Sequence, residues 1–382
     1  MPSLWKFNER LALSILRKLG PELAHGLAIW CLKILHLNLK MVGVIKASGL
    51  LKKENSQQVF PSLKSEVFGL SFATPLGLAA GRDKGAEIVS LLLQLGFSSV
   101  EVGTFTPQRQ GGNRGKRLFR LRAEKALMNR MGLNNCGFDQ AERNLRSTKD
   151  RQGVVGVSIG ANTNATDKIP GYVEGVVRFS ELADYLVLNL SCPSVAGVRN
   201  LQKDCFLNLL LQSVNKKRNG ETPLLLKIAP DLSLQQEQNI AKIALNGMVD
   251  GLVISNTLPT KWKVGQKMEQ VGLSGRPLFE LSTRKLERMY KLTKGRVPLV
   301  GVGGIFTAED AYAKILAGAS LVQLYTALSY EGFSVIDRIH KGLAEFLERD
   351  GYESISDAVG QGVSHAVEQE HDAFQQPRRA VA

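Results

Sequence analysis

The sequence predicts an α/β fold: a (β/α)8 barrel of the TIM type, preceded by a small N-terminal helical hairpin domain. Three observations carry this. After Pro61 eight short apolar, often β-branched runs alternate with helical patterns, the runs end on polar or glycine-rich tips, and no GxGxxG follows the first run as an open dinucleotide-binding sheet would require. The 382 residues, 44% hydrophobic, are enough for one such barrel and a small extra unit.

The strand candidates in order are Pro75–Ala80, Ser98–Thr104, Val154–Gly160, Tyr185–Ser191, Leu224–Ala229, Gly251–Thr257, Pro298–Ile305 and Leu321–Ala327. Helical patterns fall at Ala86–Leu95, Phe138–Arg146, Val173–Ser180, Gln202–Val214, Gln235–Leu245, Leu278–Leu292, Ala308–Leu316 and Val335–Leu347. Ser233-x-x-Gln236 and Thr307-x-x-Asp310 are capping-box signatures, in which side chains take up the free N–H groups of a helix start.

Before the barrel, Leu4, Phe7, Leu11, Ile15 and Leu19 recur at helical spacing, Gly20-Pro21 breaks the pattern, and Leu23, Leu27, Trp30, Cys31, Ile34 and Leu35 resume it. Neither stretch reaches the ~20 apolar residues that span a bilayer. With Trp5 and Trp30 beside Lys and Arg, the pair suits a membrane interface or an apolar stripe docked on the barrel. The expected divisions are therefore a hairpin at 1–42, a polar connector at 43–60, the barrel at 61–365 and a flexible, charge-rich tail at 366–382.

Lys and Arg number 49 against 35 Asp and Glu, a formal charge of +14. That suits an anionic substrate, a phosphorylated cofactor or an acidic surface and by itself selects none of them. Cys31, Cys136, Cys192 and Cys205 form no CxxC pair and no secretory leader is seen, so free thiols in a reducing compartment are expected. The five histidines all lie toward the two ends, so neither a histidine metal site nor a Ser-His-Asp triad is expected in the central region.

The chemistry gathers at the strand tips. Tyr185-Leu-Val-Leu-Asn-Leu-Ser-Cys-Pro-Ser194 is an apolar run ending on Asn189, Ser191, Cys192 and Ser194, where a barrel places its active site. Gly301-Val-Gly-Gly304 ends the seventh run and Tyr325-Thr326 the eighth, the usual place for a phosphate held on backbone N–H groups. Lys227 sits inside an apolar strand, a costly position unless it meets an anion or an electron-rich ring.

Together these segments resemble the dihydroorotate dehydrogenase family, and within it the membrane-associated, quinone-using class. The resemblance rests on Gly77-Leu-Ala-Ala-Gly-x-Asp-Lys84, Glu101-Val-Gly-Thr-x-Thr-Pro107, Arg117-Leu-Phe-Arg120, Asn129-Arg-Met-Gly-Leu-Asn-Asn135, Asn189-Leu-Ser-Cys-Pro193, Lys227-Ile-Ala-Pro-Asp-Leu-Ser233, Ser255-Asn-Thr257, Gly272-Leu-Ser-Gly-Arg-Pro-Leu278, Gly301-Val-Gly-Gly-Ile305 and Gly318-Ala-Ser-Leu-Val-Gln-Leu-Tyr325, in family order, and extends to about Val363. It implies FMN as cofactor and oxidation of dihydroorotate to orotate in de novo pyrimidine (UMP) biosynthesis. Electrons would pass to a membrane quinone from a protein held peripherally at the cytoplasmic face of the cell membrane, with no nucleic-acid partner.

Carried over by position, the flavin would touch Ala80, Gly81, Lys84, Thr104, Ser158, Asn189, Lys227, Ser255, Gly275, Gly304, Tyr325 and Thr326. The pyrimidine would meet Lys84, Asn129, Arg130, Met131, Gly132, Leu133, Asn189, Ser194, Asn256 and Thr257. Amides that both donate and accept suit a ring with carbonyls and N–H groups, and a lysine suits its carboxylate. The resemblance makes Cys192 the general base that removes a proton beside the carbon giving hydride to the flavin.

Four positions depart from the family pattern. The base is cysteine where the quinone-using class carries serine, Ser194 replaces an asparagine, and Ser158 replaces another, with Ala161 where lysine is common. These shorten polar contacts and leave open a related dihydropyrimidine or another cyclic substrate. A flavin reductase of the tRNA-dihydrouridine-synthase kind and a paralogue keeping FMN without catalysis are the rival readings.

Overall fold

The computed structural model describes residues 12–47, 60–148, 151–191 and 204–363. Cys192, Ser194, most of the expected connector and the expected tail lie outside the described residues. Two helices open the described chain, α1 (12–18) and α2 (Pro21–Ala47), broken at Gly20-Pro21 as the sequence predicts. Helix α2 continues to Ala47, into the stretch expected as a connector, because the Met41–Ala47 segment is still mostly apolar and contains no proline.

Eight parallel strands close into a barrel: β3 (Leu76–Leu78), β4 (Ser99–Phe105), β7 (Val154–Ile159), β8 (Tyr185–Asn189), β9 (Leu224–Ile228), β10 (Gly251–Ile254), β13 (Leu299–Val302) and β14 (Ala319–Leu324), with β14 paired back onto β3. Helices α3 (Val89–Gln94), α4 (Phe138–Arg146), α5 (Ile169–Phe179), α6 (Asp204–Asn215), α7 (Leu234–Leu245), α8 (Phe279–Thr293), α9 (Ala308–Leu316) and α11 (Ser334–Asp350) surround it, and the short α10 (Thr326–Glu331) follows β14. Alternation along each strand sorts two cores. Val100, Val102, Leu186, Leu188, Leu224 and Leu226 face the helices, whereas Val187, Leu225, Val253, Val300 and Leu321 fill the barrel. A small hairpin, β1 (Ser65–Val67) and β2 (Leu70–Phe72), adds Val67 and Phe72 to the interior cluster.

Several boundaries differ from those the sequence suggests, for identifiable reasons. The run Leu321–Ala327 is replaced by Ala319–Leu324, because Thr326 already opens α10. The run Gly251–Thr257 stops as strand at Ile254, although Ser255 N–H still bonds to Val302 O and Asn256 N–H to Ile228 O. Those two bonds carry Asn256 to the barrel mouth. Helix α3 starts at Val89 rather than Ala86, since the Asp83 carboxylate takes the N–H groups of Gly85, Glu87 and Ile88 into a loop instead. Both capping boxes form, with Ser233 accepting from Gln236 N–H and Thr307 from Asp310 N–H.

One element is absent from the sequence prediction. Strands β5 (Leu118–Leu121), β6 (Ala126–Asn129), β11 (Leu258–Val264) and β12 (Lys267–Gly275) form an antiparallel sheet in the order β11-β12-β6-β5. It brings Leu118, Leu127, Asn129, Ser274 and Gly275 to the barrel mouth, and α2 packs against β5.

Candidate active site

A cavity at the mouth lies between the barrel tips, the antiparallel sheet and α2. Its amide side begins at β8. Asn189 Nδ2 donates to Thr104 Oγ1 at 2.8 Å, Thr104 Oγ1 lies 2.8 Å from Ser158 Oγ, and Asn189 Oδ1 accepts from Asn256 Nδ2 at 3.1 Å. Asn256 Nδ2 also donates to Ser191 Oγ at 2.9 Å. Three barrel strands and the tips beyond them are thus joined in one polar chain, so its amides are held in fixed orientations.

A second group faces it from the β6 side: Asn129, Met131, Gly132 and Leu133 line the cavity, and so does Asn134. Asn129 Nδ2 donates to Gly272 O at 3.2 Å, which leaves its carbonyl oxygen for another partner. Asn134 Oδ1 is buried without a hydrogen-bond partner among the described residues. Asn134 was not among the expected contacts, although it stands inside the quoted Asn129–Asn135 motif. Arg130 does not line the cavity; its guanidinium ion-pairs with Glu269 at 2.5 Å. Ser158 likewise sits behind the wall, bonded to Thr104.

Lys84 enters on the loop after β3, and this loop is tied down on both sides. The Asp83 carboxylate accepts Glu87 and Ile88 N–H at 2.9 Å each, and Gly103 N–H donates to Asp83 O at 3.0 Å. Burial, then the Arg117 and Arg82 charges, lower the Lys84 pKa to about 8, with Glu22 opposing them. Beside it His25 of α2 is pushed down to about 2, first by burial and then by Arg82 and Lys84, so it is neutral. Neither His25 nor Glu22 could be placed here from the sequence, since only the fold of α2 onto β5 brings them to the cavity.

The opposite end is a glycine cradle. Gly303 and Gly304 have φ of 116° and 76°, and a Cβ on Gly304 would stand 2.5 Å from Phe279 Cα. Only glycine fits such a turn. Beyond it Tyr325 and Thr326 line the same wall where α10 starts, and the first turn of a helix leaves N–H groups without intrahelical partners. Thr326 Oγ1 donates to Ser274 Oγ at 2.9 Å, and Gly275 closes the wall. The floor carries Lys227, Gln323, Ala80, Gly81 and Ser255. Among the described residues no cluster of three His, Cys, Asp or Glu side chains is placed to hold a metal ion.

A closed barrel with glycine turns after β13, a buried lysine on its floor and hydrogen-bonded amides on one wall of a single mouth cavity defines a (β/α)8 enzyme with its site at the strand tips. The chain belongs to the dihydroorotate dehydrogenase family, whose model matches residues 62–347. Dihydroorotate dehydrogenase (quinone) of Parvibaculum lavamentivorans is 44% identical over 357 residues, covering 93% of this chain and 98% of the relative. The protein of the same name from Bradyrhizobium diazoefficiens is 42% identical over 362 residues, covering 92% and 95%. The crystal structure of the Eimeria tenella dihydroorotate dehydrogenase in complex with ferulenol superposes with a TM-score of 0.78 at 36% identity, covering 90% of this chain and 95% of that one. Its ligand-free form gives 0.76 at 37% identity.

The residues present fit FMN. Gln323 Oε1, at the cavity floor, is buried without a hydrogen-bond partner among the described residues, and so is Asn134 Oδ1 on the wall. Buried polar atoms are rarely left so, and a polar occupant resolves both.

Proposed function

We propose that this protein oxidises dihydroorotate to orotate with FMN and passes the electrons to a quinone, as a step of de novo pyrimidine biosynthesis. The observation that carries the reading is the single cavity that unites the glycine cradle, Lys227 and the Asn129–Asn189–Asn256 amides. Gly304, Tyr325 and Thr326 would hold the FMN phosphate, and Lys227, Thr104, Ser255, Ala80 and Gly81 would hold its ring. When bound, it supplies a two-electron acceptor for the hydrogen leaving the substrate.

The substrate would occupy the amide wall. Asn129, Asn189 and Asn256 pair with its carbonyls and N–H groups, and the Lys84 cation balances its carboxylate. Arg130 acts from outside the wall, through its ion pair with Glu269, by fixing the chain on which Met131, Gly132 and Leu133 stand. Cys192 follows Ser191 in sequence and, as general base, would accept the proton from the carbon next to the one that loses hydride; Ser194 would be a further substrate contact. A thiol has an ordinary pKa of about 8.5, so the base works as its thiolate fraction allows.

The quinone would approach through a second cavity between α1, α2 and the barrel. It is lined by apolar Leu13, Leu16, Ala24 and Leu328, and it shares His25, Leu118, Leu127 and Tyr325 with the first cavity. Leu23, Leu27, Trp30 and Ile34 form one exposed stripe on α2, and no helix among the described residues is long and apolar enough to cross a membrane. Such a stripe suits a peripheral seat in the interface of the membrane's cytoplasmic leaflet.

The test is anaerobic mixing of the purified yellow protein with dihydroorotate. Rapid loss of flavin absorbance, restored by a quinone, is expected; a flavin that dihydroorotate does not bleach overturns the substrate assignment.

A further inference from the structure

Beneath the cavity floor Lys227 is paired with a buried carboxylate that the reaction as described does not use. Lys227 Nζ lies 3.5 Å from Glu101 Oε1, and Glu101 is wholly buried. The two come from β9 and β4, which are separated by β7 and β8, and both point inward by strand alternation. Gln323 Nε2 of β14 donates to Glu101 Oε2 at 2.9 Å and reaches Tyr185 Oη at 3.4 Å. Tyr185 folds across the barrel over Gly156, where any Cβ would come within 2.1 Å of its ring. Glu101 Oε1 has no hydrogen bond among the described residues, so the lysine charge is its compensation on that side.

Both groups are buried, Lys227 at 5% and Glu101 at 0% exposure, and the barrel interior is otherwise filled by an apolar cluster that includes Val187, Leu225, Val253 and Val300. A charge placed there acts at longer range than on a surface. Lys227 itself lines the cavity, whereas Glu101 does not.

We propose that Glu101 is a positioning residue which, through Lys227, sets the reduction potential of the flavin. Resting on the reading that FMN lies over Lys227, the assignment gives Glu101 two effects. It holds the ammonium group at one point of the floor, and its negative charge offsets part of the positive charge presented to the flavin. Gln323 tunes the offset by sharing the carboxylate. A reduced flavin carries more negative charge than an oxidised one, so a weaker offset favours reduction.

The experiment is a potentiometric titration of the full-length holoprotein, followed by flavin absorbance. Glu101→Gln keeps the shape and removes the charge; the expected result is a positive shift equal to about tenfold in the reduction equilibrium, or about 30 mV for a two-electron couple. Glu101→Asp restores the charge and returns the potential toward that of the parent protein. In a Lys227→Met background the Glu101→Gln shift shrinks; an undiminished shift there, or an unchanged potential in Glu101→Gln itself, overturns the proposal. If Glu101→Gln does not fold, Gln323→Met provides the second reading. It removes the amide that shares the carboxylate, so the potential falls, and no change overturns the proposal equally. A parent protein that takes up no FMN overturns the underlying reading instead, and is recognised by the lack of any flavin signal to titrate.

Discussion

Asn256 Nδ2 donates to Asn189 Oδ1 at 3.1 Å, an amide pair that spans from β10 to β8 across the intervening β9. Asn189 is the hinge of the polar chain: its Nδ2 is committed to Thr104, so its Oδ1 depends on Asn256 and Ser191 for donors. Anything that removes Asn256 disturbs the substrate wall while leaving the Thr104 bond in place.

Asn256→Ala is therefore expected to keep its flavin and weaken substrate binding. Losing this half-buried amide and its bonds costs about 1–3 kcal/mol, roughly fivefold to 150-fold in affinity. Stopped-flow flavin reduction over a range of dihydroorotate concentrations measures it. A half-saturation concentration equal to that of the parent protein would remove Asn256 from the substrate wall.

The proposed role of Lys84 predicts a pH dependence of product binding. Its pKa is lowered to about 8 in the folded protein, so the cation is present below that pH and lost above it. Orotate carries a carboxylate, and its affinity for the oxidised protein should fall as pH rises through about 8, by up to tenfold per unit. The bound anion itself favours the charged lysine and moves the midpoint of the complex upward. Lys84→Met should bind weakly with no such slope. Flat affinity between pH 7 and 10 in the parent protein would show that another group holds the carboxylate.

The barrel was legible because its strands are apolar runs with polar tips, and burial on both faces of a parallel strand leaves that signature. Ser233 and Thr307 marked their helix starts because a capping box is a local device, complete within four residues. What the sequence concealed depends on partners far along the chain. His25, Glu22 and Asn134 reach the cavity only when α2 lies on β5 and the Asn129–Asn135 segment folds over the mouth. The antiparallel sheet was hidden for another reason. Leu118–Leu121 is half-buried throughout and so shows no alternation, while Lys261 and Lys263 on β11 are exposed and suggest a loop. Gly265, which takes φ 62° in the turn between β11 and β12, was a local signal of that hairpin. Cys192 and Ser194 remain assignments by sequence position, one residue and three residues beyond the buried Ser191.

Those assignments are open to direct attack. Cys192→Ala should retain FMN, since the cradle and Lys227 are untouched, while flavin reduction by dihydroorotate slows by about 10²–10⁴-fold, the usual contribution of a general base. Cys192→Ser should recover part of the rate and move its rising pH limb upward, because a hydroxyl is a weaker acid than a thiol. Reduction by Cys192→Ala at the parent rate would assign the proton to another group.

The exposed stripe on α2 allows the proposed membrane seat to be tested apart from the chemistry. Leu23 is 65% exposed and Trp30 59%, while Ala24 and Leu32 on the other face are buried. The buried face is fastened to the barrel by the Glu22–Arg117 and Lys33–Glu87 ion pairs, so outward substitutions should leave the helix in place. Leu23→Glu combined with Trp30→Glu puts two carboxylates where apolar groups would enter the headgroup region. The double variant should sediment poorly with anionic vesicles and turn over slowly with a membrane-embedded quinone. Its flavin should still be bleached by dihydroorotate at the parent rate, because the amide wall and Lys84 are unaltered. Equal losses in the two half-reactions would mean that α2 supports the active site itself, and vesicle binding unaffected by both charges would place the membrane contact elsewhere.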